Sequence, residues 1–530
     1  MKHLIRIKQS LMLTALLFAF GSCTHNFADI NRNKYEVDKE EIGRENYNIG
    51  STLKGMQGLV IPTREHLYQF YDILAAGAFS GYVGSTVNNW KDKFSTYNPP
   101  AAWLKAPFVD VISETYPLYR DMFDKTDDPV ALALAKLMRV IIMHRETDTY
   151  GPIPYSKVVL PDGNVSLTAP YDSQEEIYRE MFAELEHIDS VFNENITIDP
   201  EAFRKFDNVY AGNIAQWSKF LHSMQLRMAM RIVYAEPQLA RRIAEKAVAD
   251  GVITANKDNA FLKVEENRTA MIYNDWNDHR IGGNLTCYMN GYEDPRRDKM
   301  FVKGNLKAGT TITPGFYGMR IGIDPAEKDI YVTTFSKPLI SDTDPFLWMN
   351  AAEVAFLRAE GALRGWNMGA EAEALYNEAI GLSFEQFGLA GAEAYAADAT
   401  KKPLAYTDPL GKDSYTTPLS DITVKWEEGT GDAVRERNLE RIITQKWIAI
   451  FPLSVEAWSE YRRTGYPKLM PAALNKSGGV IDDKQGFRRL PYPAEEYQEN
   501  AANVTAAIGL LGGPDNGATR LWWDKRPYNP

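Results

Sequence analysis

The sequence lacks the short motifs that mark most hydrolytic, phosphate-binding and redox sites. It has no His-Glu-x-x-His pair, no Gly-x-Ser-x-Gly turn, no Gly-x-x-x-x-Gly-Lys loop and no Cys-x-x-Cys. Its 7 histidines are scattered, and His144 and His222 fall within predicted helices, where a structural role is the commoner one. The sequence does not exclude a carboxylate pair for glycoside hydrolysis among its 70 acidic residues, because the required separation is a distance in space and cannot be read from spacing along the chain. We therefore expect a protein that is not an enzyme.

Positive charge is also in short supply. Lys and Arg number 59 against 70 Asp and Glu, which gives a net charge of −11, and no long run of Lys or Arg occurs. Contacts to a phosphate backbone need clustered basic side chains, so nucleic acid is excluded as an expected partner. No stretch beyond the first 22 residues is apolar enough to cross a bilayer.

The N-terminus has the pattern of a targeting signal. Three basic residues precede an apolar run at 11–20, and two small residues precede Cys23. This resembles the processing site of bacterial lipoproteins, where such a cysteine is lipidated; an ordinary signal peptide with an incidental cysteine is the alternative. We expect a signal peptide at 1–22, a lipid anchor at Cys23 with a tether to 45, and one domain at 46–530. Cys287 is then left alone, so no intrachain disulfide is predicted.

The stretch 344–388 predicts two helices joined by a turn at 365–369. Small residues at helical spacing in its second half, such as Ala374 and Ala379, let two helices approach closely. The pattern is typical of tetratricopeptide-type hairpins, which bury their apolar faces by stacking on similar neighbours. The segment 243–248 after Pro237 has a similar pattern of small residues. We expect a mainly α protein built from tetratricopeptide-like helical pairs.

Apolar stripes predict further helices outside this hairpin. Asp128 and Pro129 suit the start of one of them, and Ser173 with Glu176 forms a capping box at another. Between about 252 and 345 the helical period disappears, which indicates an irregular, loop-rich insertion with short strands, for example at 331–335. The predicted helices lie at 52–79, from 129 to about 147, and at 173–192, 211–234 and 434–450.

Aromatic residues within polar loops are the main functional signal. Asn88-Asn89-Trp90, the segment 274–278 around Trp276, and the segment 288–292 each combine rings with amides or acids. Sugars need this mixture, because their C–H faces stack on aromatic rings while their hydroxyls form hydrogen bonds. The alternative is that each ring fills the local core. Three such segments outside the helical pattern favour a glycan-facing surface.

The candidate binding residues follow from these loops. Trp90 is the leading stacking platform, and Asp72, near the end of the preceding helix, is a candidate acceptor for sugar hydroxyls. The guanidinium of Arg358 on the hairpin 344–388 is a candidate hydrogen-bond donor to the sugar. The alternative is that it forms an ion pair with a neighbouring acid. In the insertion the candidates are Trp276, Cys287, Tyr288 and Tyr292. No cofactor is expected; the Asp- and Asn-rich segment 274–278 either holds a structural calcium ion or caps turns.

The last third of the chain resembles a known family. Gln445-Lys446-Trp447, the segment 456–458 and Tyr461-Arg462-Arg463-Thr464-Gly465-Tyr466-Pro467 look like the signature of SusD/RagB-type outer-membrane lipoproteins. The segments 148–155, 293–296 and 489–493 are similar to shorter motifs of the same family. These motif residues are expected to serve the fold, with Arg462 and Arg463 pairing with acids between helices.

The resemblance implies a SusD-like fold and a role. A member of this family is a non-catalytic lipoprotein of the outer membrane that captures oligosaccharide or polysaccharide at the cell surface. It covers a SusC-type TonB-dependent transporter barrel and passes the ligand on. The alternatives are a lid subunit of a peptide-importing complex and, with less support, a surface glycosidase. A compact site with one main tryptophan suggests a fructan such as levan as the glycan.

Overall fold

The computed structural model describes residues 47–195 and 204–527, and helices dominate it. The predicted signal peptide, Cys23 and the tether lie outside the described residues. From Ile49 onward the described chain forms one unit. The helices are α1 Tyr47–Val60, α2 Glu65–Tyr68, α3 Ala76–Phe79, α4 Val111–Lys125, α5 Pro129–Tyr150, α6 Gln174–Asn195, α7 Ile214–Arg231, α8 Pro237–Asp250, α9 Ala270–Asn274, α10 Gly283–Gly291, α11 Arg297–Met300, α12 Lys328–Thr334, α13 Ala351–Leu363, α14 Ala372–Gln386, α15 Ala392–Ala396, α16 Asp432–Ala449, α17 Ser454–Thr464, α18 Ala494–Glu499 and α19 Ala501–Leu511.

Strands within the described residues are short and occur as antiparallel pairs. β1 pairs with β3, β2 with β8, β4 with β7, and β5 with β6. The first pair joins two distant segments, since Val83 lies opposite Ile281 and Ser85 opposite His279. The strands are β1 Val83–Ser85, β2 Ala260–Leu262, β3 His279–Ile281, β4 Phe301–Val302, β5 Gly304–Ala308, β6 Thr311–Gly315, β7 Lys337–Pro338 and β8 Phe346–Met349.

The predicted helical pairs are present. α5 packs on α6, α7 on α8, and α13 on α14, each as a hairpin. Asp128 caps α5, because its carboxylate accepts from the backbone N–H groups of Val130 and Ala131 at 2.9 Å. Small side chains allow the close approach, and Ala244 and Ala379 are fully buried. The mainly α fold of tetratricopeptide-like pairs is therefore confirmed.

Local structure differs from the sequence-based prediction in two places. The predicted helix at 52–79 is interrupted after Val60, because Pro62 cannot continue it, and a π-helical turn at Gln69–Ala75 separates α2 from α3. The predicted strand at 331–335 is wrong, since these residues belong largely to α12. Its two aromatic residues, Tyr331 and Phe335, suggested a strand but stack on one another in a small separate cluster. An isolated run of β-prone residues is too short to distinguish a strand from a helix.

A buried ion-pair network holds the helical pairs together. Arg231 at the end of α7 has no solvent exposure. Its guanidinium lies 2.9 Å from Asp148 of α5 and donates to Glu456 and Glu460 of α17. Four further cations form ion pairs with acidic side chains on either side of Arg231. The full set, called the charge network below, joins Arg227, Arg231, Arg364, Lys446 and Arg463 to Asp148, Glu353, Glu360, Glu456 and Glu460.

The charge network is neutral, because its five cations face five carboxylates. Burial raises the pKa of the Glu460 carboxyl, but Arg463, Lys446 and Arg231 outweigh this and hold the pKa well below its usual value. Removing one member of such a set leaves a buried charge without its partner. The expectation that Arg463 pairs with acids between helices is confirmed, since it contacts Glu360 of α13 at 2.6 Å in addition to Glu460 of its own helix at 2.7 Å. The same expectation is wrong for Arg462, which donates to carbonyls and a hydroxyl instead.

Glu460→Gln tests the charge network. The amide keeps the shape of the side chain but removes the negative charge that three cations share. We expect the free energy of unfolding, measured by chemical denaturation, to fall by about 3–5 kcal/mol. The matched control is Asp432→Asn, which removes a fully exposed carboxylate 3.4 Å from Arg435 and should change nothing measurable. Equal effects of the two substitutions would contradict the role of the network.

His144 makes the stability of the fold depend on pH. Burial lowers the pKa of this imidazole to about 4, although Asp148 opposes the shift. The unfolded chain therefore binds one proton more than the folded one between pH 4 and about 6.5, so this contribution to stability is lost as the pH falls. In denaturation at several pH values, the wild type should lose up to about 1.4 kcal/mol per pH unit more than His144→Gln across this window. Identical slopes for both proteins would refute this assignment.

Candidate functional site

Five partly exposed or exposed aromatic side chains form two groups of contacting rings, which the segment 66–70 links in the irregular part of the fold. Four of them, Phe70, Trp90, Trp103 and Trp276, pack one side against the core and leave the rest accessible. The fifth, His66, is exposed. These five residues are called the aromatic surface.

Trp90 occupies one end of the aromatic surface. Its ring meets that of Trp103 edge-on, with centroids 5.1 Å apart, and Trp103 in turn meets Phe70 at 5.7 Å. Behind it lies the buried ring of His279, 6.2 Å away. Such edge-to-face contacts fix the orientation of the indole, so that its accessible part is presented in one position.

Trp276 occupies the other end. Its ring stacks on that of His66 at 5.2 Å with an interplanar angle of 28°. His66 and Phe70 are four residues apart on the helical segment that begins with α2, so they lie on one face of it. The pairing of β1 with β3 brings the two loops together, because Trp90 follows β1 and Trp276 precedes β3.

Polar groups lie beside the rings. Asp278 accepts from Gln69 at 3.2 Å and from the ammonium of Lys328 at 2.6 Å, and the same ammonium donates to the carbonyl of Trp276 at 2.7 Å. Asn89 and Asp275, next to the two tryptophans in sequence, are exposed. Accessible ring faces bordered by amides, acids and an ammonium can stack a sugar ring and bind its hydroxyls.

His279 supports this surface as a neutral ring. Burial, with help from Arg280 and Lys328, lowers the pKa of its imidazole to about 3. Its Nε2 lies 3.3 Å from the amide nitrogen of Gln69. The ring therefore stays uncharged at neutral pH and packs as an aromatic support for Trp90.

Asp72 is not part of the aromatic surface. It lies in the π-helical turn, is 2% exposed, and its Oδ1 accepts from Arg145 at 2.6 Å. Burial raises the pKa of the carboxyl, while Arg145 opposes the shift. The side chain borders a separate cavity of about 240 Å³ whose lining includes Tyr68 and Tyr273. The structure thus places Asp72 inside the scaffold, away from the predicted sugar.

The segment of Cys287, Tyr288 and Tyr292 is not a polar loop. These residues lie in or next to α10 and are at most 4% exposed. The Tyr288 hydroxyl donates to the carbonyl of Lys468 at 2.9 Å and that of Tyr292 to the carbonyl of Ile422 at 3.3 Å. Burial raises the pKa of the Cys287 thiol to about 12. Their burial argues against contact with ligand; here the alternative, that each ring fills the core, applies.

Arg358 contacts residues of its own hairpin. Its Nε donates to the carbonyl of Met368 at 3.1 Å in the turn between α13 and α14, and Nη1 lies 3.7 Å from Glu378. This is the ion pair that the sequence left as the alternative. The structure gives it no contact with the aromatic surface.

Trp103, Phe70 and His66 complete the surface but are absent from the sequence-based candidates. Trp103 lies in the same Pro- and aromatic-rich segment as Trp90, so the segment was informative although the residue was not selected. Phe70 and His66 belong to the helical segment before it, where an apolar stripe predicts burial. Only the position of that segment next to both loops reveals their role.

For the segment 274–278 the sequence left two alternatives, a structural calcium ion or capped turns. In the segment 274–278 the Asn274 side-chain oxygen accepts from Lys337 at 2.7 Å, and Asp278 accepts from Lys328. Elsewhere Asp189, His222 and Asp250 approach one another, but the ammonium of Lys246 already contacts Asp250. Ammonium groups thus neutralise oxygens that a cation would need, and calcium remains a prediction.

Comparison with known proteins places the chain in a family. Residues 29–524 match the model of the SusD-like family, described as SusD and RagB outer membrane lipoproteins. The chain belongs to the SusD-like family. This confirms the resemblance that the sequence motifs carried. Among the described residues, no helix of this SusD-like protein combines the length and the apolar character needed to span a membrane.

Solved structures of other SusD-like proteins resemble this one. A SusD homologue from Bacteroides thetaiotaomicron is 52% identical, with a TM-score of 0.86 over 91% of this chain and 100% of that chain. A homologue from Bacteroides ovatus is 41% identical, with a TM-score of 0.83 over 91% and 99%. A chitin-binding SusD homologue from Flavobacterium johnsoniae is 37% identical, with a TM-score of 0.82 over 90% and 98%. The chain matches none of the curated proteins.

Proposed function

We propose that this protein is a non-catalytic glycan-binding lipoprotein that captures oligosaccharide on the aromatic surface. The observation that carries the proposal is the set of three partly exposed tryptophans, Trp90, Trp103 and Trp276, each in contact with another ring and with exposed or half-exposed polar groups beside them. Rings held in this way by a rigid scaffold suit recognition of a flat, hydroxyl-rich ligand. The family to which the chain belongs consists of outer membrane lipoproteins, which agrees with a role at the cell surface.

The ligand we favour is a chain of pyranose sugars. The fructan suggestion relied on a compact site with one main tryptophan, whereas the aromatic surface contains three partly exposed tryptophans, Trp90, Trp103 and Trp276. Several ring faces suit several flat sugar units. The relative from Flavobacterium johnsoniae is described as chitin-binding, so β-linked N-acetylglucosamine oligosaccharides are the first candidate and levan the second.

We further propose that the protein is lipid-anchored through Cys23 and works with a SusC-type TonB-dependent transporter. The support is the sequence around Cys23 together with the family to which the chain belongs. A non-catalytic capture protein needs a transporter that takes up what it has bound. Co-purification of such a barrel with the native protein from outer membranes is the direct test.

Trp90→Ala should weaken glycan binding by about tenfold or more, because it removes the end platform of the aromatic surface. Binding is measured by affinity electrophoresis and calorimetry against chitin oligosaccharides, levan, inulin, starch and other plant, fungal and bacterial glycans. The matched control is Trp366→Ala, which removes a half-buried tryptophan of the helical scaffold and should leave binding intact.

Three outcomes would count against this function. One is the absence of binding to any glycan, with Trp90→Ala and wild type indistinguishable. Peptides found by mass spectrometry in the native complex would support the peptide-importing alternative. Release of reducing sugar by the purified protein would support the glycosidase alternative.

Cys23→Ser should release the protein from the membrane fraction, because the thiol that accepts the lipid is lost. Fractionation of cells and labelling with a radioactive fatty acid measure this. Cys287→Ser is the matched control, since that thiol is buried in the core, and the variant should remain labelled and membrane-bound. Labelling of Cys23→Ser would refute the anchor.

A further inference from the structure

A second pocket, away from the aromatic surface, is lined by basic side chains. It has a volume of about 270 Å³ and lies between the end of α17, the segment 484–488 and the C-terminal segment from Arg520. Seven Arg or Lys residues line it, and none of its lining residues is Asp or Glu. In a chain with a net charge of −11, such a concentration of positive charge calls for a physical explanation.

Three of the seven cations are paired with acids outside the lining. Arg463 belongs to the neutral charge network. Arg526 pairs with Glu436, and Lys468 lies 3.6 Å from Glu440. These three side chains add little positive charge to the pocket, because each forms an ion pair with a carboxylate.

Of the other four cations, two share a single carboxylate and two have no ion-pair partner in the part of the chain that the structure describes. Arg488 lies 2.5 Å and Arg520 2.9 Å from Asp524. Neither Arg462 nor Lys484 has a carboxylate within 4 Å among the described residues. Within 4 Å, four positive charges therefore face one negative charge, so positive charge predominates at the pocket.

Arg462 shows that this positive charge is built into the fold. It is 1% exposed, and its guanidinium lies 3.6 Å from the centroid of the Trp458 ring. Its nitrogens donate to the carbonyls of Trp458 and Arg488 and to the hydroxyl of Ser459. Burial lowers the pKa of Arg462 to about 9, and the charges of Arg488 and Arg231 contribute to this shift. The charges of Asp148 and Asp524 oppose this shift, but no carboxylate of the described residues forms an ion pair with the guanidinium, so its positive charge is only partly offset.

One donor at the pocket is also unused. Nε of Arg520 is buried and has no hydrogen-bond partner, although Nη2 of the same guanidinium contacts Asp524 and the carbonyl of Arg526. Arginine presents its donors as a planar fork that matches a carboxylate or a similar oxyanion. Because the buried Nε is closed to solvent, the donors that an acidic ligand can reach belong to the exposed part of Arg520 and to the exposed Lys484.

We propose that this pocket binds the carboxylate of a sugar acid of the size of one ring, such as a hexuronic acid. Its volume of about 270 Å³ is just below the range of about 300–1,000 Å³ that accommodates drug-sized ligands. The walls between the cations include Tyr415, Pro418 and Pro471, which offer ring faces and apolar contact to the remainder of the sugar. The site is independent of the aromatic surface, so it stands whether or not the proposed function holds.

The test compares glucuronate and galacturonate with glucose and galactose by calorimetry on the full chain. We expect the acids to bind and the neutral sugars not to bind, with a dissociation constant that rises with ionic strength. Lys484→Gln and Arg520→Gln should each weaken binding of the acids about tenfold or more, since each removes a charged donor. Both side chains are partly or fully exposed, so these variants should fold, which thermal unfolding verifies.

Lys257→Gln is the matched control, because Lys257 is an exposed lysine outside the pocket, and it should bind the acids as the wild type does. Trp90→Ala should also bind them normally, which separates this site from the aromatic surface. No binding of either acid, or equal binding by wild type, Lys484→Gln and Arg520→Gln, would overturn the proposal. Inorganic sulfate that binds as tightly as glucuronate would overturn the assignment to a sugar acid.

Discussion

The charge network is the constraint on which the rest of the structure depends. Five helices meet there, because Asp148, Arg231, Glu360, Lys446 and Glu460 come from α5, α7, α13, α16 and α17 respectively. Burying so many charges is unfavourable unless every one of them is paired and hydrogen-bonded. A shift of any helix along its axis would separate several pairs at once. The network therefore selects one arrangement of the helical pairs, beyond what apolar packing alone would specify.

The same helices hold the loops of the aromatic surface in place. Trp447 of α16 donates from Nε1 to the carbonyl of Ser80 at 2.9 Å, and Tyr82 donates back to the carbonyl of Trp447. These two bonds tie the start of β1 to the scaffold. Since β1 pairs with β3, the positions of Trp90 and Trp276 are both set from this point. A rigid helical floor thus orients loops that have little regular structure of their own.

The sequence predicted the helices well and the residues of the aromatic surface only in part. Periodicity and caps indicate helices such as α5 and α7 because burial of one face is a local property of the chain. Trp90 and Trp276 were also recognisable, since they stand among Asn and Asp residues. Tyr288 and Tyr292 had similar neighbours but point into the core from α10, because long-range packing decides which face of a short helix is buried. The contribution of Trp103, Phe70 and His66 depends on the pairing of β1 with β3, which no local pattern encodes.

Arg462 and Arg463 show why a family motif does not by itself assign a role. They are consecutive on α17, so their side chains leave the helix about 100° apart. Arg463 faces the charge network and finds Glu360 and Glu460, whereas Arg462 faces the basic pocket and finds carbonyls, a hydroxyl and the Trp458 ring. Arg463 completes a neutral set of ion pairs and stabilises the fold. Within the described residues Arg462 has no ion-pair partner of its own, since Asp148 and Asp524 act on it only through their charges, and this difference is the basis for proposing an acidic ligand on its side of the helix.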